Sequence, residues 1–299
     1  MSHYRMSDGE QLFVREFGQG QPVLVLSGLG MQSWQWLPFL YPQAKNHKFI
    51  IPDWRGFGGS QHCCIPELDA ISSHWLDIDS LIEQLQLDQF SVIAYSMGAT
   101  TAMHGMHYGN LNTKLSRYLH IDQTPKISVD ETWQYGLLGQ QFPQVKQLLA
   151  EISQLLAAKP HVFQWSDLDS ASRQHLLELW LGFVQLQSSN KAAPLVFKMA
   201  LKQPKLQSLI LPMQRLDYLA WYINNYLHHD EDYRDAIAQL TCPSTFFIGE
   251  KSKLYPAAGQ KMIAQSVKNS KQIIFEKSGH TPLISEPIKF GREIAQFLK

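Results

Sequence analysis

Short apolar runs alternate with helical patterns at both ends of this 299-residue chain. That alternation constrains its fold more than any other feature. PVLVL (22–26) is apolar throughout and ends in Ser27-Gly28, and FSVIA (90–94) leads into Tyr95-Ser96-Met97-Gly98. Continuous rather than alternating runs are what strands buried on both faces show. EQLFVREF (10–17), KFIIP (48–52), YLHI (118–121), STFFI (244–248) and QIIF (272–275) also read as strands. Between them, Ile71, Trp75, Ile78, Ile82 and Leu85 step by four, three, four and three, one face of a helix. Further helices are expected from Met97, over 257–267, and at Phe290, Ile294 and Phe297. Strands alternating with helices predict a parallel sheet covered on both faces.

From Thr124 to Leu240 the alternation stops. Leucine-rich helical stretches such as VKQLLAEISQLLA and RQHLLELWLGFVQL take over, with four of the eight tryptophans (Trp133, Trp165, Trp180, Trp221). The sheet pattern resumes afterwards, so this stretch reads as an insertion between two strands rather than a separate domain. The expected division is a core of 1–123 and 241–299 with a helical insertion over 124–240.

Lys+Arg and Asp+Glu balance at 26 each. Such a chain has no basic excess for nucleic acid or an anionic membrane, so the expected partner is a small molecule. The N-terminus MSHYRMSDGEQLFVREFG has no apolar signal region, and no apolar run approaches the ~20 residues of a membrane helix. With three cysteines (Cys63, Cys64, Cys242) and no signal, free thiols and a cytoplasmic location are expected.

Ser96 sits at a strand end where a helix begins at once. A nucleophile on such a turn needs small residues two positions to either side, and Ala94 and Gly98 supply them. The bland alternative is a serine capping a helix. His280, in EKSGHTPLISEP, follows a short strand and a glycine and has the best context for a base among the twelve histidines. The acid is less plain. Three residues after Gly249, where an acid is expected, stands Ser252, which carries no charge; Glu250 lies too near the strand. Asp122, at a strand end 26 residues beyond Ser96, keeps the order Ser…Asp…His. Ser27-Gly28-Leu29-Gly30 follows a buried strand, so the backbone N–H groups of Leu29 and Met97 are candidate oxyanion donors. That turn lacks the third glycine of a dinucleotide fingerprint and no phosphate-binding loop is present, so no cofactor is expected. His104 and His107 have no carboxylate partner for a metal, and His228-His229 before Asp230-Glu231-Asp232 reads as a solvated loop.

PDWRGFGGS (52–60) resembles the turn after the fourth strand in α/β-hydrolase-fold proteins. SGLG, PDWRGFGGS, AYSMG, CPSTFFIGEKSKLYP and SGHTPLISEP occur in that family's order and cover the chain outside the insertion. The resemblance implies an eight-stranded, mostly parallel sheet flanked by helices, with a helical cap over the active site. In it, PDWRGFGGS is structural, Ser96 looks like the nucleophile and His280 like the base. Two positions depart from the pattern: Ser27 stands where a histidine is common, and Ser252 where the acid often is. Some members carry the acid after the sixth strand, which supports Asp122. The expected activity is a serine hydrolase cleaving a carboxylic ester, or a related acyl bond, of a small to medium, apolar substrate. The apolar preference comes from the Leu-, Trp-, Tyr- and Met-rich insertion.

Rival readings share the fold. Trp54 in its turn and an acid after the sixth strand also resemble cofactor-free dioxygenases of heteroaromatic rings, in which the histidine–acid pair deprotonates the substrate. Acyl transfer or haloperoxidase-like chemistry would use the same three residues. A non-enzymatic ligand receptor would lack one of them. Haloalkane dehalogenation needs a carboxylate where Ser96 stands.

Overall fold

A computed structural model of the chain describes residues 2–187 and 213–299. Its strands are β1 (Ser2–Arg5), β2 (Gln11–Gly18), β3 (Gln21–Leu26), β4 (His47–Pro52), β5 (Phe90–Tyr95), β6 (Leu115–Ile121), β7 (Ser244–Gly249) and β8 (Ser270–Phe275). The longer described helices are α1 (Ala70–Gln84), α2 (Met97–Tyr108), α3 (Phe142–Ala157), α4 (Ser170–Gln187), α5 (Leu216–His228), α6 (Ala257–Ser266) and α7 (Pro287–Phe297). The strands form one eight-stranded sheet in the order β1-β2-β4-β3-β5-β6-β7-β8. β2 pairs antiparallel with β1 and β4, and every pair from β4 to β8 is parallel. Seven strands lie where the sequence places them. β1 escaped it because its four residues alternate between half-buried and exposed and carry no apolar run.

Both faces of the sheet are covered, which is why its central strands β3 and β5 are mostly apolar. Leu24, Leu26, Val92 and Ala94 enter one core beside Ile71, Trp75 and Ile78 of α1 and Met103 of α2. Their neighbours Val23, Val25, Ile93 and Tyr95 enter the other, against Trp36 and Phe290 and Ile294 of α7.

The PDWRGFGGS turn is tied down by its own side chains. Asp53 accepts from the Ser33 N–H (2.6 Å) and the Gly59 N–H (2.9 Å), while Ser60 Oγ accepts from the Phe13 N–H (2.9 Å). Arg55 donates two bonds to Asp77 of α1 (2.7 and 2.6 Å) and one to Asp8 (2.6 Å). Arg55 and Asp77 are both buried. Removing one partner of such a pair strands a charge. Asp77→Ala is therefore expected to cost about 3 kcal/mol, the low end of the usual range because Asp8 remains. Urea unfolding reads this as a lower midpoint at constant slope. A midpoint equal to wild type would remove the pair from any account of stability.

The residues between β6 and β7 carry α3, α4 and α5. Helix α5 is fastened to the loop before α1 and to the first turn of α1 itself. Tyr218 donates to Cys63 O (2.8 Å), Trp221 Nε1 donates to Leu68 O (2.9 Å), and Asn225 Oδ1 accepts from the Ile71 N–H (3.2 Å). All three thiols are free: Cys63 and Cys242 are buried and Cys64 is exposed. No described helix is long and apolar enough to cross a membrane.

Candidate active site

Ser96 joins β5 to α2 with φ of 52° and ψ of −124°, a conformation an L-residue adopts only under constraint. The turn is tight. A Cβ on Gly98 would stand 2.2 Å from Leu26 O, and one on Gly28 would stand 2.9 Å from the Tyr95 ring. Ala94, where the motif as usually written has glycine, is buried in the core under α2. The Ser96 backbone caps α2, accepting from the Ala99 and Thr100 N–H groups (2.7 and 3.1 Å). Its side chain makes no cap bond. The hydroxyl instead lies 2.9 Å from His280 Nε2.

His280 Nδ1 lies 2.8 Å from Asp122 Oδ1. Asp122 follows β6 directly, is fully buried and has φ of 41°. Because a carboxylate can only accept, Nδ1 is the donor of that bond, and in the neutral imidazole Nε2 is then the acceptor that faces Ser96. The structure thus brings Ser96, His280 and Asp122 into one hydrogen-bonded chain at three strand ends. Ser252 reaches Asp122 rather than replacing it, donating to Oδ1 at 2.7 Å. Glu250 is exposed and engages Lys261 at 2.7 Å.

Two tyrosines flank the imidazole, and neither was singled out in the sequence. Tyr95 stacks on it (centroids 5.3 Å apart) and donates to His280 O (3.1 Å); Tyr255 meets it edge-on at 5.4 Å. Burial, with the nearby Asp122 charge adding to it, pushes the Tyr95 phenol well above its usual range, so it stays a neutral donor. The adjacency of Tyr95 to Ser96 was the only available signal. Burial pulls four other histidines down, His74 to about 3, His104 and His120 to about 4, and His229 below its usual value. Each is held by a tyrosine hydroxyl away from Ser96.

Gly28 and Leu29 border the same cavity as Ser96 and His280. Met97 is the first residue of α2, where an amide has no acceptor within the helix. Ser27 is buried beneath, taking the Trp54 indole on its carbonyl (2.7 Å) and the Trp36 indole on its hydroxyl (3.0 Å). The cavity over Ser96 has a volume of about 300 Å³. Its described walls are mostly apolar and include Leu149 of α3, Trp180 and Phe183 of α4, and Leu219 and Ile223 of α5.

One expectation on the polar loops is corrected. His229 is buried rather than solvated, because Nε2 reaches the buried Tyr233 hydroxyl (3.2 Å), which also meets His104 Nδ1 (2.9 Å). Among the described residues no group of three His, Cys, Asp or Glu side chains could hold a metal ion.

Comparison with known proteins agrees with this architecture. The chain is 25% identical over 281 residues to pimeloyl-[acyl-carrier protein] methyl ester esterase of Vibrio vulnificus (strain YJ016), covering 94% of this chain and 95% of that protein. It is 24% identical to the AB hydrolase superfamily protein YisY of Bacillus subtilis (strain 168), covering 99% of each. Among solved structures, the esterase EaEST from Exiguobacterium antarcticum shares the fold, with a TM-score of 0.70, 20% identity and coverage of 99% of this chain and 98% of that one. The sequence pattern of the alpha/beta hydrolase family itself matches residues 23–292, from β3 to α7 and through every strand end that carries a site residue. With the eight-stranded sheet and the strained serine at the end of β5, that match means that the chain belongs to the alpha/beta hydrolase family.

Proposed function

We propose that this protein hydrolyses a carboxylic ester of a small to medium, apolar acid through Ser96, His280 and Asp122. The observation that carries the reading is the unbroken chain Ser96 Oγ–His280 Nε2 (2.9 Å) and His280 Nδ1–Asp122 Oδ1 (2.8 Å) on the floor of an apolar cavity. In this mechanism Ser96 Oγ attacks the ester carbonyl while His280 Nε2 takes its proton. The alkoxide leaves with that proton, and an acyl-enzyme remains. Water then attacks the acyl group with His280 again as base, freeing the acid and Ser96. Asp122 holds the Nδ1–H tautomer and stabilises the imidazolium. The N–H groups of Leu29 and Met97 receive the oxyanion. Residues 124–240, of which 188–212 lie outside the described residues, act as a cap over this floor, on a core of 1–123 and 241–299. The names of the esterase relatives support ester chemistry, and the intact three-residue chain weighs against a ligand receptor.

A fluorophosphonate probe tests the nucleophile, because it bonds covalently to an activated serine. Wild type is expected to label and Ser96→Ala to stay blank; equal labelling of both would sink the assignment. The cavity makes a separate prediction. Each methylene buried from water contributes about 0.8 kcal/mol, or about fourfold in kcat/KM. Among 4-nitrophenyl esters, butanoate should therefore exceed acetate by about tenfold or more. A best rate on acetate, falling steadily to laurate, would exclude an apolar acyl site.

A further inference from the structure

The turn after β7 does more at this site than close the sheet edge. Ser252 stands three residues beyond Gly249, and its amide bonds Gly249 O (3.0 Å). Ser252 is buried at 7% exposure, and its hydroxyl oxygen accepts from the Tyr255 N–H (3.5 Å). Its own proton goes to Asp122 Oδ1 (2.7 Å), the same oxygen that faces His280 Nδ1 (2.8 Å). The other oxygen, Oδ2, accepts from the Gly249 N–H (2.9 Å). No Cβ fits at Gly249, since it would lie 2.1 Å from Gly279 O and 2.9 Å from Asp122 Oδ2.

A fully buried carboxylate needs donors on both oxygens. The carboxyl plane of aspartate is otherwise only loosely set by its own torsion. Two of the three donors come from one turn of β7, and the third is the imidazole to be oriented. We propose that Ser252 is a positioning residue for the reaction above: its hydroxyl locks the plane of the Asp122 carboxylate and draws charge from the oxygen that faces His280. The inference rests on the reading of Asp122 as the acid. It also gives position 252 a role that a neutral residue can fill. A serine there cannot replace the acid, but it can hold it.

The two parts of this role have separate signatures. Loss of the lock leaves the imidazole less often aligned on Ser96, which lowers kcat and leaves KM alone. Loss of the hydroxyl donor also leaves more negative charge on Oδ1. That favours the imidazolium, so the acid limb of the kcat/KM profile moves to higher pH.

The experiment uses the whole protein, with 4-nitrophenyl butanoate as probe and thermal melts to check folding. Ser252→Ala is expected to lower kcat about tenfold, with KM within about twofold and the acid limb raised by about half a pH unit. Ser252→Thr, which keeps a hydroxyl, should recover kcat to within about threefold of wild type. Two results would overturn the proposal. One is wild-type kcat and an unmoved acid limb in Ser252→Ala. The other is a loss shared equally by the alanine and threonine variants with the limb unmoved, which would mark packing alone. Asp122→Asn measured alongside separates the two levels. Full turnover in that variant defeats the acid reading itself. Collapse there with an unaffected Ser252→Ala defeats only the role of Ser252.

Discussion

Replacing Asp122 with asparagine is expected to lower kcat by about 10⁴-fold while the protein stays folded. The size follows from the donors around the side chain. Oδ2 accepts from the Gly249 N–H, and an amide nitrogen placed there would set two donors against each other. The asparagine carbonyl therefore keeps the Gly249 position, and the amide nitrogen falls where Oδ1 faces His280 Nδ1. From there it donates to Nδ1, so the imidazole proton shifts to Nε2. That nitrogen then points a proton at Ser96 Oγ and cannot accept one. The shape of the site survives, but the tautomer is wrong. Steady-state kinetics with a melting curve checks this; a kcat within tenfold of wild type at unchanged stability would remove Asp122 from the mechanism.

Ser96→Ala should cost still more, on the order of 10⁶ in kcat. Nothing else described stands where Oγ stands, 2.9 Å from the imidazole and at the floor of the cavity. The fold has little reason to suffer, because the Ser96 side chain makes no helix-cap bond. What holds the turn is backbone: the Ser96 N–H on Ile121 O (3.0 Å) and the Ser96 carbonyl under the first turn of α2. The residual rate would report what binding and the oxyanion donors achieve alone. A Ser96→Ala enzyme that retained a tenth of wild-type kcat, free of contaminating esterase, would point to direct attack by water and end the acyl-enzyme scheme.

How far the sequence was readable varied with the physics of each element. The central strands could be read because both faces are covered, so PVLVL and, apart from Ser91, FSVIA are apolar at every position. β1 could not, since a short edge strand is held by its ladder to β2 rather than by a buried face. The turn around Ser96 was legible through its small residues, because close backbone approach excludes side chains there. Asp77 was not, because a single acid on a helix has no local sign that a buried arginine 22 residues earlier will meet it. His229 was misread as solvated for the same reason: its partner Tyr233 shows only in three dimensions.

By itself the sequence determined the parallel sheet, the interruption after β6 and the strand ends at which Ser96, Asp122 and His280 would stand. In a parallel sheet all carboxyl ends lie on one edge, so residues far apart in the chain share that edge by construction. Which groups touch there was decided only by the tertiary structure. The sequence pointed to Asp122, because Ser252 carries no charge and Asp122 keeps the order Ser…Asp…His, but it could not place that carboxylate against His280. The tertiary structure adds the 2.8 Å approach of Asp122 to His280, with φ of 41° at Asp122 and the turn after β7 closing on its carboxylate. Such contacts depend on side-chain direction at a strand end, which backbone strain and neighbouring packing set and local sequence does not encode.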